Sequence, residues 1–578
     1  MSKSWRWYWM GALVVLLLTR WSALDAALLT PAEARLALEA RSAVQEGVWP
    51  VTTASPLLLT GNAVLFWLFG SGSGIARLLP ATAGVLLALT PWLWRKTLAL
   101  PERADIPPTC AAWSATLLLL LSPVALSVSR QVSGAALGTL GGVWVITALF
   151  TAEADERRRA GLLGAGLAVG LTGGPSFYDV LLAGLMAWAA WHWVERRPIT
   201  FKRSSLRAVG AGLLAALLIS LGGGWRWNGW AGPVEGLAAW LREWRMTSTP
   251  FVHPLLLGLY EPLALFLAAV GLGLAVRKRQ SQLVALGAWA VLATALVVAR
   301  PGADAAAFLA PLLPLALLGG WAVQHLLLPR RLTAGGWLEW VHVALGSVLW
   351  AFTVLVLLRQ AGAPAYANGL ELPLVGLVVV IQALMAAGFA TLQEPRRALK
   401  GLAGGVMVVL CLLQVGFAAG VAYVRPGNPT EPLVATGVSN DVRGLQRTVE
   451  DLRIARALSP ETPYLTVVES DPALTDVWAA LTWALPSPAL RCVAAWPADE
   501  PELVLTLEDV TPPTGARAAY RGMTFGVTLQ SGGGIPGCEP GVFPPVCSHP
   551  LAWYFYRRSP FAPQIGQVVL WAKLPSVP

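Results

Sequence analysis

A chain of 578 residues that is 56% hydrophobic, 13% charged and holds 28 tryptophans has more apolar surface than a water-soluble fold can bury. That composition excludes an ordinary soluble enzyme and demands lipid-facing surface. The net charge of +10 does not indicate nucleic acid: residues 1–424 hold 31 Lys and Arg against 18 Asp and Glu, and residues 425–578 hold 11 against 14, so the excess sits on the hydrophobic part.

The first apolar run, 8–24, lacks a small-residue cleavage site and continues into the body, so it reads as a retained first helix. Further runs long enough to cross a hydrocarbon core fall near 76–94, 109–128, 132–151, 160–175, 177–194, 207–223, 254–276, 281–299, 306–327, 338–358, 372–392 and 401–424. Basic clusters separate alternate runs: Arg95/Lys96/Arg103, "ERRR" (156–159), "ERRPITFKRSSLR" (195–207), "RKR" (277–279), "PRR" (329–331) and "PRRALK" (395–400). The positive-inside rule makes these loops cytoplasmic. The reading is therefore an α-helical polytopic plasma-membrane protein of about thirteen spans, with a cytoplasmic N-terminus and an exported C-terminal domain.

Two outer loops precede that domain, 25–75 and 225–253. In the first, Thr30-Pro31-Ala32-Glu33 fits a capping box, with Thr30 as N-cap, Pro31 at the first helical position and Glu33 reaching back. Arg35 and Glu39 are spaced as an i,i+4 pair, and Leu36, Ala40 and Val44 form an apolar face suited to lying on the bilayer. The run 56–70, "PLLLTGNAVLFWLFG", is short for a span and reads as interfacial or re-entrant; "GSGSG" (70–74) is a turn without phosphate-loop context. The second loop carries five tryptophans around a helical centre, the pattern of a segment anchored at the headgroups. Beside it stand His253, a base or a plain loop residue, and Tyr260-Glu261 at the start of a span, where an acid is costly to bury without a partner.

From 425 onward, Val442, Leu445, Val449, Leu452 and Ala455 recur at helical spacing, with Asn440 or Asp441 able to cap the start. "PYLTVVES", "ELVLTLEDV" and "QVVLWAKL" read as strands, with a short helix at "TDVWAALTWAL", so 425–578 is a small α/β domain. Cys538 and Cys547 are disulfide candidates in an oxidising compartment, with Cys492 a competing partner; Cys110 and Cys411 read as buried small hydrophobes. No His/Cys/Asp/Glu grouping has metal-ligand spacing, and no cofactor or metal is called for.

The order of one span, a loop with "EAR" opening a helix, "PLL" before an interfacial run ending "LFG", then "ARLLPATAGVLLAL" (76–89) and "LSPVALSVSR" (121–130), resembles the GT-C superfamily of membrane glycosyltransferases. Protein O-mannosyltransferases and the lipid A aminoarabinose transferase belong to it. "HPLLLGLYEPLALFLAAVGL" (253–272), "LAPLLPLALLGGWA" (309–322) and "GNPTEPLVATGVSNDVRGL" are most similar to its flippase activity-associated branch, found in archaea and Chloroflexi-type bacteria. The resemblance implies a GT-C-like domain at 1–424 and a polyprenyl-phosphate-linked sugar as donor on the outer face. It also implies an acid early in the first outer loop as general base on an acceptor hydroxyl. Where the family writes Asp-Glu-Ala, this chain has Ala32-Glu33-Ala34, leaving Glu33 as the catalytic candidate or only a cap. Arg77 and Arg130 match the family pattern as lipid-phosphate contacts or as snorkelling residues; Tyr260, Glu261 and His253 complete the candidate substrate-binding set.

Other polar positions of the branch are also changed: "ASPLL" (54–58) replaces a His-Gly element, "QVSGAA" follows Ser129-Arg130 where an acid is usual, and "TGGPS" (172–176) replaces a lysine. Two functions follow from the resemblance: transfer of a hexosyl or pentosyl group from polyprenyl phosphate to a glycan, lipid or protein acceptor, or a catalytically degenerate homologue acting as membrane scaffold or glycolipid-binding partner subunit. The implied partners are the lipid-linked donor, membrane lipids, the acceptor and, for the second reading, a partner subunit.

Overall fold

The computed structural model describes residues 10–574 except 12–13, 15–16, 99–108, 151–155, 197, 199–201, 247–252, 327–335, 363–370, 393–394, 429, 432, 435, 460, 469–474, 486–489, 509, 515–516, 531–549 and 558–563. Helices stand at each apolar run. Among the described residues seven are long and apolar enough to cross a membrane by length and composition, eight if one bent pair is a single span; Trp337–Gly362, Glu371–Leu392 and Pro395–Val424 are among them.

The bundle packs through small residues. Ala135–Phe150 lies against Glu156–Gly173 at glycine faces: a Cβ on Gly141 would stand 2.3 Å from the Gly170 amide nitrogen. Apolar side chains gain little by leaving lipid for protein, so close backbone approach of this kind is what holds such helices together.

The bent pair is Cys110–Leu120 followed by Pro123–Ser129, at 61°. A break in apolar surroundings frees backbone groups that need partners. Arg20, fully buried, donates to Leu119 O at 2.8 Å on one side of the break. Glu261, also fully buried, accepts from Val124 N at 3.2 Å and from the Ser122 hydroxyl on the other. Each charge has the sign that complements its helix end. Gln414 joins them, donating to Glu261 Oε2 at 3.0 Å.

At one end of the bundle lies a six-stranded sheet: β1 (Thr436–Val438), β2 (Leu465–Val468), β3 (Leu490–Val493), β4 (Leu503–Leu507), β5 (Tyr520–Gln530) and β6 (Gln564–Lys573), in the order β1-β5-β6-β4-β2-β3. β2 runs parallel to β3 and β4, and the other pairs are antiparallel. The helices Asp441–Ala455 and Thr475–Ala484 cover it through Val442, Leu445, Val449, Trp478 and Leu481. The three strands and two helices read from sequence are present, and β1, β3 and β5 are additions. Asn440 is the N-cap of Asp441–Ala455, without a side-chain capping bond.

The loop 25–75 departs from expectation. The helix Pro31–Gln45 does not lie on a bilayer: it buries Ala34, Ala37, Ala40 and Ala43 and is covered by Thr475–Ala484 of the sheet domain. The ion partner of Arg35 is Asp476 at 2.8 Å, rather than Glu39. Arg41 donates to Thr482 O at 3.0 Å, and the Trp483 indole to Ser73 Oγ at 2.9 Å. Sequence spacing cannot anticipate this cover, because it comes from residues some 440 positions away.

Candidate functional site

The site forms where the first helix gives way to the first loop. Residues 22–28 form an irregular segment whose carbonyls, with that of Thr19 at the end of the preceding helix, are gathered by two guanidinium groups. Arg130 Nη1 donates to Thr19 O at 2.9 Å and Ser22 O at 2.7 Å, and Nη2 to Ala23 O at 3.0 Å. Arg77 Nη1 donates to Leu24 O and Ala27 O, both at 2.8 Å, and Nη2 to Leu28 O at 3.1 Å. Arg20 reciprocates toward Arg130, its side chain gripping Ala125 O and Ser129 Oγ, each at 2.7 Å, on the helix that ends at Arg130.

Glu33 closes the arrangement. The capping box is present: Thr30 Oγ1 accepts from Glu33 N, and Glu33 Oε2 accepts from Thr30 N at 2.9 Å. Oε2 also accepts from Arg77 Nη2 at 2.9 Å, while Oε1 accepts from Arg77 Nε at 3.0 Å and from Val132 N at 2.8 Å. Four donors meet the roughly four lone-pair sites of a carboxylate, and all five N–H groups of Arg77 are engaged. Burial pushes the Glu33 carboxyl up, but the Arg77 guanidinium and the Thr30 and Val132 amides outweigh it and hold it below the ordinary value.

Glu33, Arg77 and Arg130 share one pocket with Ser127 and Gln131; Pro426, Gly427 and Val434 of the segment leading to the sheet form its far wall. Among the described residues no acceptor is bonded to Arg130 Nε–H or to its second Nη2–H, and its guanidinium lies 4.7 Å from the Tyr423 ring centre. Of the two arginines singled out by sequence, Arg130 keeps donor capacity and Arg77 does not.

The remaining candidates lie elsewhere. Glu261 serves the helix break. Tyr260 is buried and donates to Glu431 Oε2 at 2.5 Å; Glu431 also takes Arg425 Nε at 3.0 Å and Arg557 Nε at 2.9 Å. Arg557 stacks among Tyr260, Phe417 and Trp553, so this knot pins the sheet domain to the bundle. His253 begins the helix His253–Tyr260, and its side chain lies outside the described residues, as do Cys538 and Cys547. Cys110 and Cys411 are free thiols, Cys492 is exposed, and no metal-holding group of His, Cys, Asp or Glu occurs among the described residues.

Sequence reading missed one cluster entirely. Arg300 forms a two-pronged pair with Asp179, at 2.6 and 2.9 Å, and its Nε stands 3.0 Å from Glu243. The Trp240 indole donates to Asp179 Oδ1 at 2.8 Å. Burial pushes the Glu243 carboxyl up to about 7, aided by Asp304 and Asp179 and opposed by Arg300. Trp240 is thus a buried tie, whereas Trp225, Trp227 and Trp230 of the same loop are exposed as an anchoring segment requires. The loop is further fixed by Arg226, donating to Pro50 O at 3.0 Å and Val51 O at 2.8 Å, and by Glu235, accepting from Thr53 N at 2.6 Å. The loops 25–75 and 225–253 are therefore one docked unit.

No family model and no curated protein matches the chain. Among solved structures, the apo form of the aminoarabinose transferase ArnT from Cupriavidus metallidurans is similar with a TM-score of 0.51 at 16% identity, covering 88% of this chain and 94% of that one. Its undecaprenyl phosphate-bound form gives 0.49, with the same identity and coverage. Arabinosyltransferase EmbB from Mycobacterium smegmatis gives 0.43 at 14% identity, covering 75% of this chain and 43% of that one. Likeness at such identity is likeness of fold, and with the apolar helices it gives this chain the fold of an integral membrane protein, shared with that apo transferase structure.

Proposed function

We propose that this protein transfers a sugar from a polyprenyl-phosphate carrier to an acceptor hydroxyl, on the extracytoplasmic face of the plasma membrane. In this reading residues 1–424 form the thirteen-span GT-C-type domain, with an inside N-terminus, and 425–578 the exported domain. The observation that carries the proposal is the convergence of Glu33, Arg77 and Arg130, from three separate segments, on one pocket at the sheet-bearing end of a GT-C fold.

A polyprenyl phosphate is already a leaving group, so the protein's work is to place the acceptor, take its proton and stabilise the departing phosphate. The open N–H groups of Arg130 suit the phosphate. Arg77 is assigned to holding Glu33 and the loop, not the donor. Glu33 is the acid in reach of the pocket: the acceptor oxygen bonds to the sugar's anomeric carbon as its proton passes to the carboxylate, and the bond to phosphate breaks to release polyprenyl phosphate. Taking that proton requires Glu33 to surrender one of its four present hydrogen bonds. Tyr260 and Glu261 support the walls, and His253 remains a candidate contact for the acceptor.

The saturation of Glu33 specifically favours the second reading, a protein that keeps the pocket for a glycolipid and has lost turnover. Purified protein in lipid nanodiscs, given a polyprenyl-phosphate-linked sugar together with a cell-envelope extract that supplies glycan, lipid and protein acceptors, separates the two. The transferase reading predicts sugar release in the wild type, abolished in Glu33→Gln while polyprenyl phosphate binding persists. Binding without release in the wild type favours the second reading, and no binding removes both.

A further inference from the structure

The end of the bundle opposite the sheet carries a second groove, unrelated to the pocket above. It lies between the helices Gly336–Gly362 and Pro395–Ala419. Its position follows from connectivity: Pro395–Val424 runs into the sheet domain, so the Pro395 end faces away from it.

The lining is divided by chemistry. Val343, Met407 and Val408 form an apolar wall, Trp340 stands 53% exposed at the rim, and Glu339 and Lys400 supply one acid and one base. Glu339 lies in the first turn of its helix and Lys400 in the second turn of its own, so the charges mark the polar mouth and the apolar wall runs inward along the helices. Trp at such a rim is placed where a membrane interface falls. A single-sign mouth would suit any anionic headgroup. An acid and a base together match a zwitterion whose cationic end can donate hydrogen bonds, and the apolar wall matches an acyl chain.

We infer that this groove is a binding site for an aminophospholipid of the phosphatidylethanolamine type, with the phosphodiester at Lys400, the ammonium at Glu339 and one acyl chain along Val343, Met407 and Val408. A choline headgroup keeps the charge and loses every N–H donor, and a glycerol headgroup loses the cation, so both are weaker occupants.

The test is native mass spectrometry of the full chain in detergent, titrated separately with phosphatidylethanolamine, phosphatidylcholine and phosphatidylglycerol. The wild type should retain one phosphatidylethanolamine with roughly two- to fivefold preference over either competitor, the span of a partly exposed ion pair. Glu339→Gln should erase that preference. Met407→Trp, which fills the groove and leaves the charges untouched, should weaken all three lipids. Equal retention of the three lipids by the wild type, a preference that survives Glu339→Gln, or binding indifferent to Met407→Trp each overturns the assignment.

Discussion

Glu33 can be both a cap and a base, and its structural share is measurable apart from catalysis. Glu33→Gln replaces an oxygen that accepts two hydrogen bonds with an amide that must donate, so at least one of Thr30 N, Val132 N or the Arg77 guanidinium loses its partner. Removing one partner of a buried ion pair costs about 3–5 kcal/mol. Global unfolding is a poor readout in a chain with two kinds of domain. The amides of Thr30 and Val132 report locally, since both donate to Glu33 from positions about a hundred residues apart. If their opening is governed by this site, that cost accelerates their hydrogen exchange roughly a hundredfold or more. Arg77→Met should do the same, and the double variant should add little, because either change already dissolves the pair. The acid dependence has a fixed sign. The folded carboxyl lies below its ordinary value of 4.5, so its contribution is full above that pH and is lost as pH falls through the lowered value. Unchanged exchange at Thr30 and Val132 in Glu33→Gln, or additive single variants, would refute the assignment of Glu33 as the keystone of this loop.

Two further perturbations test the rest of the architecture. Glu243, about a quarter exposed, has its carboxyl raised from 4.5 to about 7, so the folded chain binds the proton more tightly and stability declines as pH rises across that window. The Gly302 amide, which donates to Glu243 O at 2.9 Å, should be protected from hydrogen exchange by about 1–3 kcal/mol more in Glu243→Gln than in wild type at pH 8, and equally near pH 5, because Arg300 keeps its two-pronged pair with Asp179; weaker protection in the variant at pH 8 would contradict this. Glu431→Gln strips the shared acceptor of Tyr260, Arg425 and Arg557, and limited proteolysis should then cut near residues 425–435 at least tenfold faster than in wild type.

Spans and cap were legible because their causes are local. Apolar runs of membrane length and a Thr-Pro-x-Glu box are written in consecutive residues, and the helices and the capping bonds appear where those patterns stand. The long-range partners were not legible. Nothing near Glu33 announces Arg77 or the Val132 amide, and nothing near Glu261 announces a helix break at Ser122. β5 escaped because "YRGMTFGVTLQ" breaks alternation with two glycines. Gly522 is there because Trp571 of β6 lies across it, only 2.7 Å from where a Cβ would be. The Asp179–Arg300–Glu243 cluster escaped because its acids look like ordinary helix-end residues until three segments meet.

The most direct test of the proposed function is an experimental map of the protein with a polyprenyl-phosphate-linked sugar bound. The account predicts density for the phosphate against Arg130, with the sugar toward Glu33 in the pocket walled by Pro426, Gly427 and Val434, and the Arg77 guanidinium still on the carbonyls of Leu24, Ala27 and Leu28. A lipid phosphate held away from Arg130, or a pocket closed by side chains with the lipid excluded, would contradict it.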